Sequence, residues 1–386
     1  MITKIINANI VLGDRVLGGA ELYAEDGYIT YVGEGKEGGY DAIYDAEGKY
    51  LLAGFIDIHS HGGGGYDFMD ATADEMRAIS DFHLSHGTTT LVATTLTDTW
   101  ESIEASLRTF AELGDDRRTL HGVHLEGPWF SPLQCGAQDT STMDSPSVEK
   151  LYDLKKRYPF IERVSLAPEI DEGFAVGRAG KECGVVIAMG HTDADFDTAV
   201  ASAKAGYNLV THVYSGMRGV VRINAYRVAG AVEAALYDDS MTCEVIADGK
   251  HLPEGLLRLI YKCKGADRIC LITDSTRGAG AADGNEIMLG KLIGGTRAIV
   301  EDGVAKLPDR TAFAGSVATT DRLLRTFATL TDAPITDVSK MLSATPARVM
   351  GYTDRGRIEV GLRADLVLVD SDYNVCSVFL AGEKVK

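Results

Sequence analysis

Residues 54–65 read GFIDIHSHGGGG, and the two histidines one residue apart decide how the rest of the chain is read. His59 and His61 end an apolar run, Leu51-Leu52-Ala53-Gly54-Phe55-Ile56, that has the character of a buried strand. Residues i and i+2 of a strand point to one face, so both imidazoles would project into one space. Asp57, two residues earlier, would point there too. A strand end can satisfy a single histidine by hydrogen bonds alone. A pair in HSH, followed by four glycines, points instead to a metal.

Seven further β-like runs follow: TTTLVATTL, LHGVHLEGP, RVSLAPE, VVIAMGHT, NLVTHVYS, CEVIADGKH and ICLITDS. Amphipathic segments such as ADEMRAISDFHLSHG, ESIEASLRTFAEL, FDTAVASAKAG and PEGLLRLIYKCKG lie between several of them. Eight strands with helical intervals predict an α/β fold, a (β/α)8 TIM-like barrel. Residues 130–160 read as an irregular insertion. The first 50 residues and those after about 355 read as short strands and turns, so both termini should build one small β-domain, 1–50 with 355–386, around a barrel at 51–354.

On such a barrel the carboxyl ends of the strands form one rim, where barrel enzymes keep their active sites. His59 and His61 close the first strand, His124 and Glu126 the third, and Glu169 the fourth. His191 closes the fifth, His212 the sixth, and Asp274 the eighth; Asp248 and His251 follow the seventh. Core packing wants Val, Ile and Leu at such positions, so this convergence implies chemistry. Imidazole and carboxylate without cysteine suit Zn²⁺, Fe²⁺ or Mn²⁺. His59, His61, Glu126, His191 and His212 can carry one or two ions, with Glu126 able to bridge through its two oxygens. Asp274 has a second use, taking a proton from a water activated by the cation and handing it to a leaving amine. The reading is metal-assisted hydrolysis of an amide or related bond. His83 and His86, on a helix, and His121, at the opposite barrel end, read as structural. His251 stands on a rim loop just ahead of a helix N-terminus, a setting that favours phosphate.

Composition sets bounds around that reading. The chain has 386 residues, 45% hydrophobic and 24% charged, ordinary for a globular protein. Lys plus Arg number 38 against 56 Asp plus Glu, a net charge of −18 that repels nucleic acid and anionic membrane. The start, MITKIINANI, lacks a signal pattern, no apolar run reaches the ~18 residues of a membrane span, and the six cysteines form no CxxC. A cytoplasmic protein with free thiols is expected.

Seven motifs carry a resemblance: GFIDIHSHGGGGYDFMD (54–70), HLEGPWFSP (124–132), MGHTDAD (189–195), THVYSGM (211–217), ADGKHLPEG (247–255), LITDS (271–275) and AGSVATT (314–320). In this order they resemble the N-acetylglucosamine-6-phosphate deacetylase family of the amidohydrolase superfamily, over essentially the full chain. The resemblance implies metal ligands at Glu126, His191 and His212, a second site at His59 and His61, and a catalytic Asp274. It implies phosphate contacts at His251 and Arg227, sugar-side contacts at Ser215 and Gly216, a homodimer, and a terminal β-sandwich. Gln138 falls where the family has a histidine beside the scissile carbonyl. An amide there can donate a hydrogen bond but cannot titrate. Ser215 replaces an Asn, Arg277 adds a cation near the rim, and Arg218 and Arg222 extend the loop before Arg227. As solvated side chains these arginines would be inert; grouped, they would form an anion pocket. The expected substrate is N-acetylglucosamine 6-phosphate. A different N-acyl amino sugar or other amide is the alternative, and a non-catalytic sugar-phosphate sensor is a third reading, which has no need of a proton shuttle.

Overall fold

The computed structural model describes residues 1–386. Eight parallel strands make the central sheet: β1 (Phe55–Ser60), β2 (Thr88–Thr94), β3 (Leu120–Glu126), β4 (Ile161–Leu166), β5 (Val186–Met189), β6 (Tyr207–Val210), β7 (Thr242–Val245) and β8 (Ile269–Leu271). They pair strictly in chain order. The sheet closes on itself just past the strand ends, where Ser60 bridges Ser275 in parallel register. His61 N donates to Ser275 O at 2.8 Å and Asp274 N to His59 O at 2.9 Å across that seam. The expected barrel is therefore present. Its strands read as continuous apolar runs because helices cover their outer faces.

The helices start where local chemistry tells them to. Ala73–Ser85 opens with a capping box in which Thr72 and Glu75 satisfy each other's backbone N–H groups. It buries Met76, Ile79, Ser80 and His83, one face at helical spacing. Thr99 and Asp195 cap Trp100–Glu112 and Phe196–Lys204 in the same way, each through its side-chain oxygen. A cluster of 65 buried apolar residues fills the space around the barrel. A second cluster of nine, including Ile56, Ile58, Val92, Ala188, Leu209, Ile246 and Ile272, packs with helix Ala344–Met350.

Both termini contribute strands to one sheet. Strand Tyr50–Ala53 pairs with Leu366–Val369 in antiparallel register, Leu52 facing Val367, and its other edge pairs with Ile2–Val11. Hydrogen bonding runs continuously through these strands as one sheet rather than two. Three features depart from expectation. The segment at 130–160 is not wholly irregular, since Val148–Arg157 is a helix capped by Ser147. A three-stranded antiparallel sheet, Glu286–Leu289, Thr296–Glu301 and Val304–Lys306, follows β8 with no counterpart in the sequence reading. The pairing of β1 is also irregular between Asp57 and Ser60. No helix is long and apolar enough to cross a membrane.

Candidate metal centre and active site

The irregularity in β1 decides which side chains share the rim. Asp57 does not join His59. It is fully buried and binds strand β8's continuation, accepting from Thr273 Oγ1 at 2.5 Å and Thr273 N at 3.3 Å. The i, i+2 expectation fails there because a register shift breaks the alternation. Burial, offset in part by these hydrogen bonds, raises the Asp57 carboxyl to about 6. It serves as a strap between the first and last strands.

The other strand-end residues do converge. Glu126 Oε1 lies 2.9 Å from His212 Nε2, 3.4 Å from His191 Nε2 and 3.5 Å from His59 Nε2. Glu126 Oε2 lies 3.2 Å from His61 Nε2. Asp274 Oδ1 is 3.2 Å from His61 Nε2 and 3.4 Å from His59 Nε2. Two groups have the compactness of ligand sets: His59, His61 and Asp274; and His59, Glu126 and His212. Asp274 thus stands among the ligands as well as beside them. Three of these positions, His191, His212 and Asp274, have left-handed backbones with φ of 45°, 28° and 48°. Non-glycine residues adopt that region at a cost of about 1–3 kcal/mol each, and such strain clusters at active sites.

These residues fit a divalent cation. The Nε2 of His59 is buried with no hydrogen-bond partner, an orphaned nitrogen within a ring of other candidate ligand atoms. Burial alone would lower the histidines, but the crowd of carboxylates reverses it. Glu126 and Asp274 lift His59 to about 9 and His61 to about 10, while the same imidazoles hold Glu126 and Asp274 below the usual carboxylate range. A cation would replace those protons and meet four imidazoles and two carboxylates, the donor set of zinc, iron or manganese.

A cavity of about 230 Å³ opens above the cluster, lined by His61, Glu126, His191, His212 and Asp274. Gln138, Ser215, Gly216 and His251, four of the five residues expected to meet the substrate, line it too. Gln138 Oε1 accepts from Thr97 N at 2.9 Å, which fixes the amide and turns Nε2 onto Glu126 Oε2 at 2.9 Å. Gly216 has φ 57°, and a Cβ there would strike His191 Nδ1 at 2.7 Å, so only glycine lets the loop press on that ring. His251 Nδ1 is tied to Asp248 Oδ2 at 2.8 Å and its ring packs on Phe313, which also lines the cavity.

Arg227 is the exception. It is exposed on the hairpin Val221–Ile223/Tyr226–Val228 and does not line this cavity. The anion pocket imagined for the other arginines is absent as well. Arg277 is buried, paired with Asp70 at 2.8 Å and bonded to the Met288 and Gly290 carbonyls, so it pins the inserted sheet. Arg218 turns to Asp193 and Arg222 is exposed. Glu169 braces the loop carrying His191 by accepting from Thr192 Oγ1 and Asp193 N, each at 2.5 Å. His83 holds Gly62 O at 2.9 Å, His86 meets Asp321 and His121 meets Glu162, as structural histidines should. His124 lies beneath His59, their ring centroids 4.7 Å apart. Leu96, Gly136, Ala137, Leu289 and Ala312 also line the wall without being singled out by the sequence, because they are small or apolar side chains with no chemical signal, and Leu289 ends a strand too short to show a period.

Residues 50–385 match the amidohydrolase family model. The chain belongs to the amidohydrolase family. It is 34% identical to N-acetylglucosamine-6-phosphate deacetylase of Bacillus subtilis (strain 168), covering 97% of this chain and 94% of that one. It is 31% identical to the protein of the same name from Lysinibacillus sphaericus, over 94% of this chain and 92% of the relative. Among solved structures it resembles a variant N-acetyl-D-glucosamine-6-phosphate deacetylase of Mycobacterium smegmatis in complex with N-acetyl-D-glucosamine-6-phosphate. The TM-score is 0.90 at 31% identity, covering 100% of this chain and 99% of that chain.

Proposed function

We propose that this amidohydrolase removes the acetyl group from N-acetylglucosamine 6-phosphate, releasing glucosamine 6-phosphate and acetate. The observation that carries the reading is the placement of Asp274 Oδ1 within 3.2 Å of His61 Nε2, on the wall of the cavity that His251 also lines. A bound divalent cation would polarise the acetamide carbonyl and lower the pKa of water toward about 7. His59, His61, Glu126, His191 and His212 would hold it, one ion or two, with Zn²⁺ our first choice and Fe²⁺ or Mn²⁺ the alternatives.

The protein's own groups do the rest. Asp274 takes the proton of the attacking water on a carboxylate oxygen and returns it to the sugar nitrogen as the C–N bond breaks. Gln138, fixed by Thr97, keeps Glu126 oriented and offers only amide hydrogens to the substrate. Ser215 and Gly216 contact the sugar, and His251 meets the phosphate. Arg227 cannot do so from its own exposed hairpin. That hairpin also exposes Val221, Ile223 and Tyr226, so we take a second copy of the chain to cover it, with Arg227 reaching the partner's phosphate site. We further take 1–50 with 355–386 as one small β-domain beside the barrel domain 51–354, its continuous sheet folding over its own apolar core in the manner of a β-sandwich, in a cytoplasmic enzyme with six free thiols.

A second reading keeps the chemistry and changes the sugar, motivated by Gln138 and Ser215 lining the cavity where the family has His and Asn. Acetate release from N-acetylglucosamine 6-phosphate, its galacto isomer and the unphosphorylated sugar separates the two. We expect the gluco phosphate to lead in kcat/KM by at least about tenfold, or about 1.4 kcal/mol. Preference for either competitor would transfer the assignment to it.

A further inference from the structure

Beneath the rim lies a charge pair that the metal-hydrolase reading does not use. Arg163, in the middle of β4, and Glu244, on β7, are both wholly buried, and Arg163 Nη1 donates to Glu244 Oε1. Arg163 also donates to Ile58 O at 3.0 Å and Thr211 Oγ1 at 3.0 Å, so one guanidinium touches strands β1, β4 and β7 and the end of β6. The second oxygen of Glu244 faces the rim. It lies 3.1 Å from His59 Nδ1 and accepts from the backbone N–H of His212 at 3.2 Å.

A carboxylate can only accept, so Nδ1 is the nitrogen on which His59 keeps a proton, and the proton displaced by a cation is the one on Nε2. That Nε2 is the orphaned atom described above, and His59 is the one residue common to both ligand groups. A buried ion pair contributes little net stability compared with apolar residues of the same volume. An acceptor behind a ligating imidazole, by contrast, fixes its tautomer and raises its basicity as a ligand.

We propose that Glu244, held in place by Arg163, is a positioning residue that sets the affinity for the cation bound through His59. The proposal rests on the metal-dependent reading of this site. It has the form of a carboxylate–imidazole–metal relay whose carboxylate is anchored to the barrel wall rather than to a loop.

Zn²⁺ titration of the chelator-stripped full chain against a competing chelator, with metal content measured after desalting, tests this. R163M/E244M removes acceptor and charges together, so no buried charge is stranded. We expect Zn²⁺ to bind about 10–100-fold more weakly at the His59 site. R163M/E244Q restores an acceptor without the charge and should recover most of the affinity. Should the double-methionine variant fail to fold, Glu244→Asp decides alone, because it keeps the ion pair while withdrawing the oxygen from His59. Wild-type affinity in whichever of these variants folds would overturn the role of Glu244 and leave the hydrolase reading standing. A wild-type chain that binds no Zn²⁺, Mn²⁺ or Fe²⁺ would sink both.

Discussion

Two clusters inside the same barrel are equally buried and chemically opposite. One, built from Ile56, Ile58, Val92, Ala188, Leu209 and their neighbours, is apolar and held by packing. The other, with Arg163, Glu244, His59, Glu126, His191, His212 and Asp274, is as deeply placed but carries charges of both signs. Removing an aliphatic group from water contributes stability directly, whereas a buried charge costs free energy unless it is paired. The polar cluster therefore exists because each member has a partner or awaits a cation. The difference separates what the barrel needs to fold from what it needs to act, and substitutions in the two clusters should part along that line.

The largest effect should fall on the polar side. Asp274→Asn removes the proton carrier while keeping the shape, and kcat should fall by at least about 10³-fold with KM little changed, measured by acetate release. Folding should survive, because the amide keeps the carboxylate's shape and the imidazoles it faced can shed their protons. If kcat fell less than tenfold, Asp274 would lose its role. Leu209→Ala should do the reverse, lowering unfolding free energy by about 2–5 kcal/mol in denaturant titration while folded protein keeps its kcat. Equal loss of activity and stability in both variants would erase the distinction.

A third test uses protons. Without a cation, His59 and His61 keep their protons up to about pH 9 and 10, so binding must displace them. Metal affinity should therefore rise with pH from about 6 toward 9, by about tenfold per unit for each proton displaced, with protons released in unbuffered calorimetry. Affinity independent of pH would mean that these histidines are not the ligands. The smallest effect lies on the surface, outside both clusters. Arg157 and Lys150 hold Glu104 down at about 2, against an ordinary value near 4.5. That contribution is present above pH 4.5 and is lost as pH falls toward 2. Glu104→Gln should cost less than about 1 kcal/mol at pH 7 and only a small part of that at pH 2. A constant cost across that range would dismiss the ion pair.

The contrast also explains what could be read before any coordinates. All eight strands were legible, because each is an apolar run and most end in a polar residue that packing alone would not choose. The candidate ligands follow from the same logic, since His59, His61, Glu126, His191, His212 and Asp274 all sit where a strand gives way to a loop. Asp57 was misplaced because a break in the pairing of β1 leaves no mark in FIDIHS. Glu244 and Arg163 were invisible for another reason. They lie mid-strand, away from the strand ends where the rim residues stand, and only the closed barrel brings β4 and β7 together across its interior. Arg277 looked like a rim cation until the inserted sheet, whose strands are three to six residues long, supplied the carbonyls that bury it.

Chelator removal and metal add-back, read as acetate release from N-acetylglucosamine 6-phosphate, is the most direct measurement. The stripped enzyme should be inactive and recover its rate on addition of Zn²⁺, Fe²⁺ or Mn²⁺, with recovery abolished in Asp274→Asn. Undiminished hydrolysis by protein shown to hold no divalent ion would contradict the account.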